Sequence, residues 1–368
     1  MSVVDSMKES VADDSVAVAG IAVAAGAVLL LLALGVLKLP YVLRTLAFGG
    51  AWVLLTMGLN VQWGYTGLIN FSVAAFWGVG AYSVALLTSP NSPLGLELHP
   101  VFGFLTAIAV SAFIAVLIGI PTLKLREDYL AIASLGLAEV IRLVIRNEDQ
   151  WTAGSSGISR IPRLFEGLPL TQEATNLAVV AVLIGAVYLL LRRMQRSPWG
   201  RVLRTIRSDE DLAKALGKNT FNLKMQAFVL GSVIMAIAGA FYVHLNLYID
   251  PTDLVPLTTF YIWVAVILGG TASNRGSILG GMTIIAILEG TRFFPSVVEW
   301  MSDTLGLPVL LDLFQGLDVA SLRLLLVGLL IIMVVRYKPA GLLPPRSELI
   351  WPGAQRSGAR PSNEGDSQ

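Results

Sequence analysis

The chain has 368 residues, of which 55% are apolar and only 14% charged, with a mean hydropathy of +0.72 and a formal net charge of +1. A soluble domain carries about 25% charged residues, so this composition excludes an ordinary soluble fold, and the balanced charge removes any global electrostatic argument for nucleic acid. The absence of Cys excludes disulfides, thiol catalysis and thiolate metal sites, and His99 and His244, the only two histidines, argue against a His-rich metal site.

Several apolar runs approach the 20 residues that cross a bilayer as a helix, and none shows the period-2 alternation of a membrane β-barrel. The fold class is therefore an all-α polytopic membrane protein. Residues 1–15 read as a polar tail, with Lys8 set against Asp5, Glu9, Asp13 and Asp14. The run that follows lacks a basic lead-in and is too long for a cleaved signal, so it is expected to remain as a span. Spans are predicted at 16–37, 41–59, 64–88, 101–123, 129–145 and 175–191. Four more follow at 225–248, 257–270, 278–293 and 319–335. The run 257–270 is short for a crossing. Residues 294–318 are mixed, and 338–368 form a polar tail rich in Pro, Ser and Gly.

The domain reading is thus a tail (1–15), a membrane domain (16–337) and a C-terminal tail (338–368). Segment 192–224 carries nine Lys/Arg and three Asp/Glu between apolar runs. The positive-inside rule places it on the cytoplasmic side, together with the C-terminus. About ten spans then satisfy the basic clusters, eight if two short runs do not cross, with both termini cytoplasmic. Segment 147–174 becomes an outer loop.

Within 192–224, residues 200–216 read as one amphipathic helix with Val202, Leu203, Ile206, Leu212 and Leu216 on its apolar face, stopped at Gly217. Pattern alone leaves two readings about equal: a helix held on anionic lipid, or a helix fitting a groove on a partner. The run GYTGLINFSVAAFWGVGAY (64–82) is dense in glycine, which points to a broken or closely packed helix. Gly64, Gly67 and Asn70 there are candidates for a break whose freed N–H groups would face a carboxylate ligand, by analogy with the discontinuous helices known in transporters; glycine packing explains them equally well. Glu139 and Arg142 lie three residues apart, a spacing that Glu289 and Arg292 repeat. They either line a pathway or, as the favoured reading, form intrahelical ion pairs near the interface. Gly276 and Gly280 read as helix packing, and His244 as a satisfied interfacial residue. Thr152, Gly154 and Gly157 in the outer loop are candidates for touching an external protein.

Asp211-Leu212-Ala213, three residues and Gly217 resemble the EAA-xxx-G coupling loop of ABC permeases. The flanking SPWGRVLRTIRSDEDLAKALG and FNLKMQAFVLGSVIMAIAGAFY resemble branched-chain amino acid permeases of the LivM type. So do four further blocks in family order: 64–82, LREDYLAIASLGLAEVIRLV (125–144), TAGSSGI (152–158) and LGGTASNRGSILGG (268–281). The resemblance covers roughly residues 40–345. Departures are Ser72-Val73 at a usual Gly-His, Ala272 at a usual Gly and Ser277 at a usual Pro.

This resemblance implies a permease subunit of a binding-protein-dependent importer in the cell membrane. A second permease of the LivH type, two ATPase subunits and an external binding protein would complete it. Asp211, Leu212, Ala213 and Gly217 would couple to the ATPase. The chain carries no GxxxxGK[ST] phosphate loop, so ATP would be used by partner subunits, and no cofactor or metal is expected on this chain. Urea or short-chain amide import is the sister reading. An ATP-independent secondary transporter is a further alternative, and an intramembrane enzyme is disfavoured because no nucleophile–base pair or ligand set is present.

Overall fold

The computed structural model describes residues 30–35, 37–165, 170–293 and 319–345, with a few isolated positions outside these ranges. Most of the predicted span at 16–37 and of segment 294–318, and all of the tails at 1–15 and 346–368, lie outside the described residues. Among the described residues, four helices are long and apolar enough to cross a membrane: 39–64, 100–122, 172–195 and 220–246.

Helix α1 (Leu39–Leu59) starts with Pro40 in its first turn, where a missing N–H costs nothing. It runs without interruption into a π-helical turn, Asn60–Gly64. The chain then leaves helical geometry, and α2 begins only at Val73, running to Thr88. The predicted third span is corrected accordingly: Gly64 closes the second helix rather than opening the third. Helices α3 (Pro100–Thr122) and α4 (Glu127–Asn147) follow. Next come α5 (Gln172–Gln195), α6 (Pro198–Ser208), α7 (Glu210–Ala215) and α8 (Thr220–Asn246). The described chain continues with α9 (Pro256–Gly269), α10 (Asn274–Gly290) and α11 (Val319–Tyr337).

α1 and α8 form the centre. In their most apolar windows 67% and 78% of residues are buried, against 28% for α3 and α5, which present apolar side chains outward. That outward apolar surface is what a lipid-facing helix needs. A close seam joins α2 to α8. A Cβ at Gly239 would lie 1.9 Å from the Trp77 carbonyl oxygen, and one at Gly80 would lie 2.0 Å from that of Ala236. Small residues let the two backbones meet, as membrane helices without a hydrophobic driving force require. Around that seam Trp77 meets Tyr242 edge-on at 4.7 Å and Phe76 meets Phe228 at 5.7 Å. The α9–α10 seam is built the same way. A Cβ at Gly280 would lie 1.9 Å from the Ala265 carbonyl, and one at Gly276 would lie 2.4 Å from that of Gly269.

After α11 the chain folds back as a strap. The Leu342 and Leu343 amides donate to the carbonyls of Leu268 and Gly269, at 2.8 and 2.9 Å, and so cap the end of α9. Gly341 sits so close to Gly270 that a Cβ would come within 2.4 Å of the Gly270 Cα. On the other side of the bundle, β1 (Ile158–Ser159) pairs antiparallel with β2 (Tyr248–Ile249) and ties two loops together.

Candidate coupling and translocation site

The charged segment is two helices. Asp209 adopts extended geometry and its carboxylate accepts from the Leu212 amide at 2.9 Å, capping α7. An Asp at this position competes with helix continuation and satisfies an orphan amide of the next helix. The single amphipathic helix expected over 200–216 is therefore corrected to α6 and α7. The break also splits the expected apolar face. Leu203 and Ile206 are buried, whereas Leu212 and Leu216 are 50% and 63% exposed.

α7 ends in a Schellman turn, with Lys218 N–H donating to the Ala213 carbonyl at 3.1 Å and Gly217 N–H to that of Lys214 at 2.9 Å. Gly217 takes φ +73°, a geometry that favours glycine, and the space where a Cβ would stand is open. Of the four predicted coupling residues, Ala213 is buried in its own chain, while Asp211, Leu212 and Gly217 face outward.

Glu210 clamps α7 to the bundle. Its carboxylate accepts from the Lys224 ammonium, from the Thr220 hydroxyl at 3.0 Å, and pairs with Lys214 at 3.4 Å. Partial burial pushes this carboxyl up, but the Lys224 hydrogen bond and charge, aided by Thr220 and Lys214, outweigh it and hold the group below its ordinary value.

α6 contacts the bundle through buried Leu203 and Ile206 and also through charge. The Arg207 guanidinium donates to the Gly64 carbonyl and, at 3.3 Å, to the Thr271 hydroxyl. Its stem passes Gly67, 3.7 Å from where a Cβ would stand. Gly67 has φ +78°, the left-handed geometry that turns the chain out of the helix. Arg207 is partly desolvated there, which lowers its basicity.

The predicted pathway residues fall into two groups. Gly64, Gly67 and Asn70 gather at the break beyond α1. Asn70 is fully buried and its groups are taken within the chain. It donates to Gln62 at 2.7 Å, accepts from the Ser72 amide at 2.9 Å, and its carbonyl accepts from the Trp263 indole at 3.0 Å. The Glu139–Arg142 pair stands apart on α4, bonded to itself with Arg142 Nε 2.9 Å from Glu139 Oε2. Glu289 pairs with Arg292 at 3.1 Å and accepts from the Tyr41 hydroxyl at 3.1 Å.

A polar network beside the break was missed in the sequence reading. Asn60 accepts from the Ala272 amide at 2.8 Å, Gln195 donates to the Ala272 carbonyl at 2.9 Å, and the Tyr65 hydroxyl donates to Asn274. Gln62 donates to the Phe228 carbonyl at 2.8 Å and to Ser232 at 3.1 Å. The available signal was Asn60 and Gln62 inside an apolar run, which a membrane helix tolerates only when partnered. Ala272 stands at φ +63°, the conformation that explains a glycine at the matching position of the family pattern.

At the opposite end, Thr152 closes α4 by donating to the carbonyls of Ile145 and Glu148 at 2.6 and 2.8 Å. Gly154 and Gly157 take φ +51° and +68°, and a Cβ at Gly157 would lie 2.4 Å from the Ile249 carbonyl. These three residues therefore shape the loop that β1 and β2 pin down. His244, read as a satisfied residue near a helix end, is fully buried. Its Nδ1 lies 2.7 Å from the Pro162 carbonyl, its ring stacks on Phe104 at 5.8 Å, and its Nε2 has no hydrogen-bond partner.

A family model described as "Branched-chain amino acid transport system / permease component" matches residues 41–335. The permease protein LivM of the Escherichia coli high-affinity branched-chain amino acid transport system is 28% identical over 322 residues, covering 80% of this chain and 68% of that protein. The probable LivM of Methanocaldococcus jannaschii is 26% identical, covering 81% and 91%. The LivH permease protein of the Escherichia coli system is 24% identical over 257 residues, covering 66% and 81%. No solved structure matches.

Proposed function

The chain belongs to the family of branched-chain amino acid transport permease components, and from that membership we propose that it forms one half of a translocation pathway for branched-chain amino acids, driven by ATPase subunits that grip α7. It is a multi-pass membrane protein of the cell membrane and a transport subunit. The observation that carries the coupling assignment is the outward patch of Asp211, Leu212, Leu216 and Gly217. It sits on a helix that Glu210 and Lys224 lock to the bundle. An exposed apolar patch ringed by charge marks a docking surface, and the lock lets force on it reach α8.

About ten spans with both termini cytoplasmic fit this reading, because α6, α7, the π-turn and the C-terminal strap then share the cytoplasmic side. Loop 147–165 and the β1–β2 pair would meet an external binding protein, with Thr152, Gly154 and Gly157 fixing the loop's shape. The similarity to both LivM and LivH proteins supports a second, homologous permease as partner. Alternating access would be powered by ATP bound in the partner subunits, with no cofactor on this chain. Gly64, Gly67 and Asn70 would shape the cytoplasmic mouth, whereas Glu139 and Arg142 on α4 would steady that helix near the outer interface.

The test is uptake of radiolabelled leucine, and separately urea, into vesicles holding the assembled complex, with and without internal ATP. ATP-dependent leucine uptake that is lost in Gly217→Arg, with assembly intact, is the expected result. Uptake of urea alone would reassign the substrate. Uptake independent of ATP and of the ATPases would overturn the coupling assignment.

A further inference from the structure

The end of α1 leaves the Gly64 carbonyl without its ordinary helical partner. The Leu68 amide, which an uninterrupted helix would bring to it, donates instead to the Gln62 carbonyl at 3.1 Å. An orphan carbonyl at a helix C-terminus also carries the negative end of the helix dipole. Arg207 supplies the missing donor and a positive charge together, and the second arm of the same guanidinium reaches Thr271 in the turn between α9 and α10. One rigid fork thus spans two elements that are far apart in sequence. α6, which carries it, is anchored by buried Leu203 and Ile206 and ends one residue before the Asp209 break. The same turn is held from the other side by Gln195, the last residue of α5, through the Ala272 carbonyl.

We propose that Arg207 is the positioning residue that carries movement of the coupling segment to the end of α1 and to the α9–α10 turn. The proposal rests on the reading that an ATPase acts on α7. A desolvated guanidinium does not readily leave its acceptors unpaired, so displacement of α6 pulls on both at once. The acceptors lie at the π-turn and at a seam of glycines where backbones touch. There a small shift is not absorbed by side chains, because none intervene.

The test uses the complete importer in vesicles and reads leucine uptake, ATP hydrolysis and subunit assembly in parallel. Arg207→Gln is expected to leave assembly intact and hydrolysis within about twofold, while uptake per ATP falls by about tenfold. Arg207→Lys is expected to recover only part, since one ammonium cannot serve both acceptors with the same fork. Thr271→Val removes one acceptor and is expected to uncouple more weakly, with no added loss in the Arg207→Gln background. Arg201→Gln, exposed on the same helix, is the control. If wild type shows no ATP-dependent uptake, the parent reading fails and this one with it. If wild type is coupled but Arg207→Gln keeps its uptake per ATP, or loses hydrolysis and uptake in proportion, this inference alone is overturned. Should Arg207→Gln fail to assemble, Thr271→Val with wild-type coupling overturns it equally.

Discussion

Gly239→Ala puts one methyl group into the α2–α8 seam. The added Cβ would stand 1.9 Å from the Trp77 carbonyl oxygen and 2.9 Å from the Ala81 amide nitrogen. Ordinary contact begins near 3.4 Å, so the two backbones must part by about 1.5 Å at this point. Both obstructing atoms are main chain, so no rotamer change relieves the clash. Separation also loosens the Trp77–Tyr242 and Phe76–Phe228 ring pairs on the same seam. Overpacking of this kind costs about 1–3 kcal/mol. Gly185→Ala on α5 is the matched control, because its Cβ meets nothing within 4 Å. Relief of glycine's backbone freedom there is worth roughly 0.5–1 kcal/mol of added stability. Thermal unfolding of the detergent-solubilised protein, followed by tryptophan fluorescence, should show Gly239→Ala melting several degrees lower and Gly185→Ala no lower than wild type. A Gly239→Ala protein that melts with wild type refutes the backbone-contact argument.

Asp209→Ala removes the α7 cap and should lower stability by about 1 kcal/mol, and ATPase co-purification should weaken with it. Leu216→Glu should reduce that co-purification with no change in melting temperature, because the side chain is largely exposed. Glu210 has a folded pKa below its ordinary value near 4.5. The stability it contributes is therefore complete above that value, declines as pH falls below it, and is gone once the depressed folded value is passed. Comparing the melting temperature of wild type and Lys224→Met from pH 6 down to about pH 3 should show the difference shrinking with acidification. Ala272→Gly should raise stability, since a left-handed non-glycine residue costs about 1–2 kcal/mol and glycine gives back only part of that in chain entropy; chemical denaturation measures the sign.

Most of the described crossing helices were legible because apolar length and charged boundaries determine where a chain can sit in a bilayer. The coupling segment was legible as charge but not as two helices. Arg201, Arg204, Arg207 and Lys214 keep helical spacing across the break, and that periodicity masked a cap signal, an Asp followed by two acidic residues in the first turn. The start of α2 was misplaced because glycine density marks close approach without saying on which side of it the helix ends. Gly64 has to be a glycine because Asn60 and the Ala272 amide crowd the place where a Cβ would stand, and Ala272 is more than two hundred residues away. The network of Asn60, Gln62, Asn274 and Gln195 was invisible for the same reason: the amides of Asn60 and Gln62 in an apolar run reveal that a partner exists, not which one, and Gln195 and Asn274 lie in polar stretches where an amide draws no notice. The sequence placed His244 near a helix end but did not show how deeply the chain covers it. It is buried because the loop carrying Pro162 folds over it.

The strap after α11 holds α9 through main-chain amides, with Leu342 and Leu343 donating whatever their side chains are. It demands glycine at Gly341 and Gly270, which take φ +88° and +111° where the two backbones nearly touch. Such a clasp can persist through extensive drift of the residues around it. Two relatives could share it while showing little resemblance there beyond a pair of glycines about seventy positions apart. A C-terminal deletion reaching Gly341 would unfasten α9, whereas one confined to the residues after the strap would leave the clasp closed.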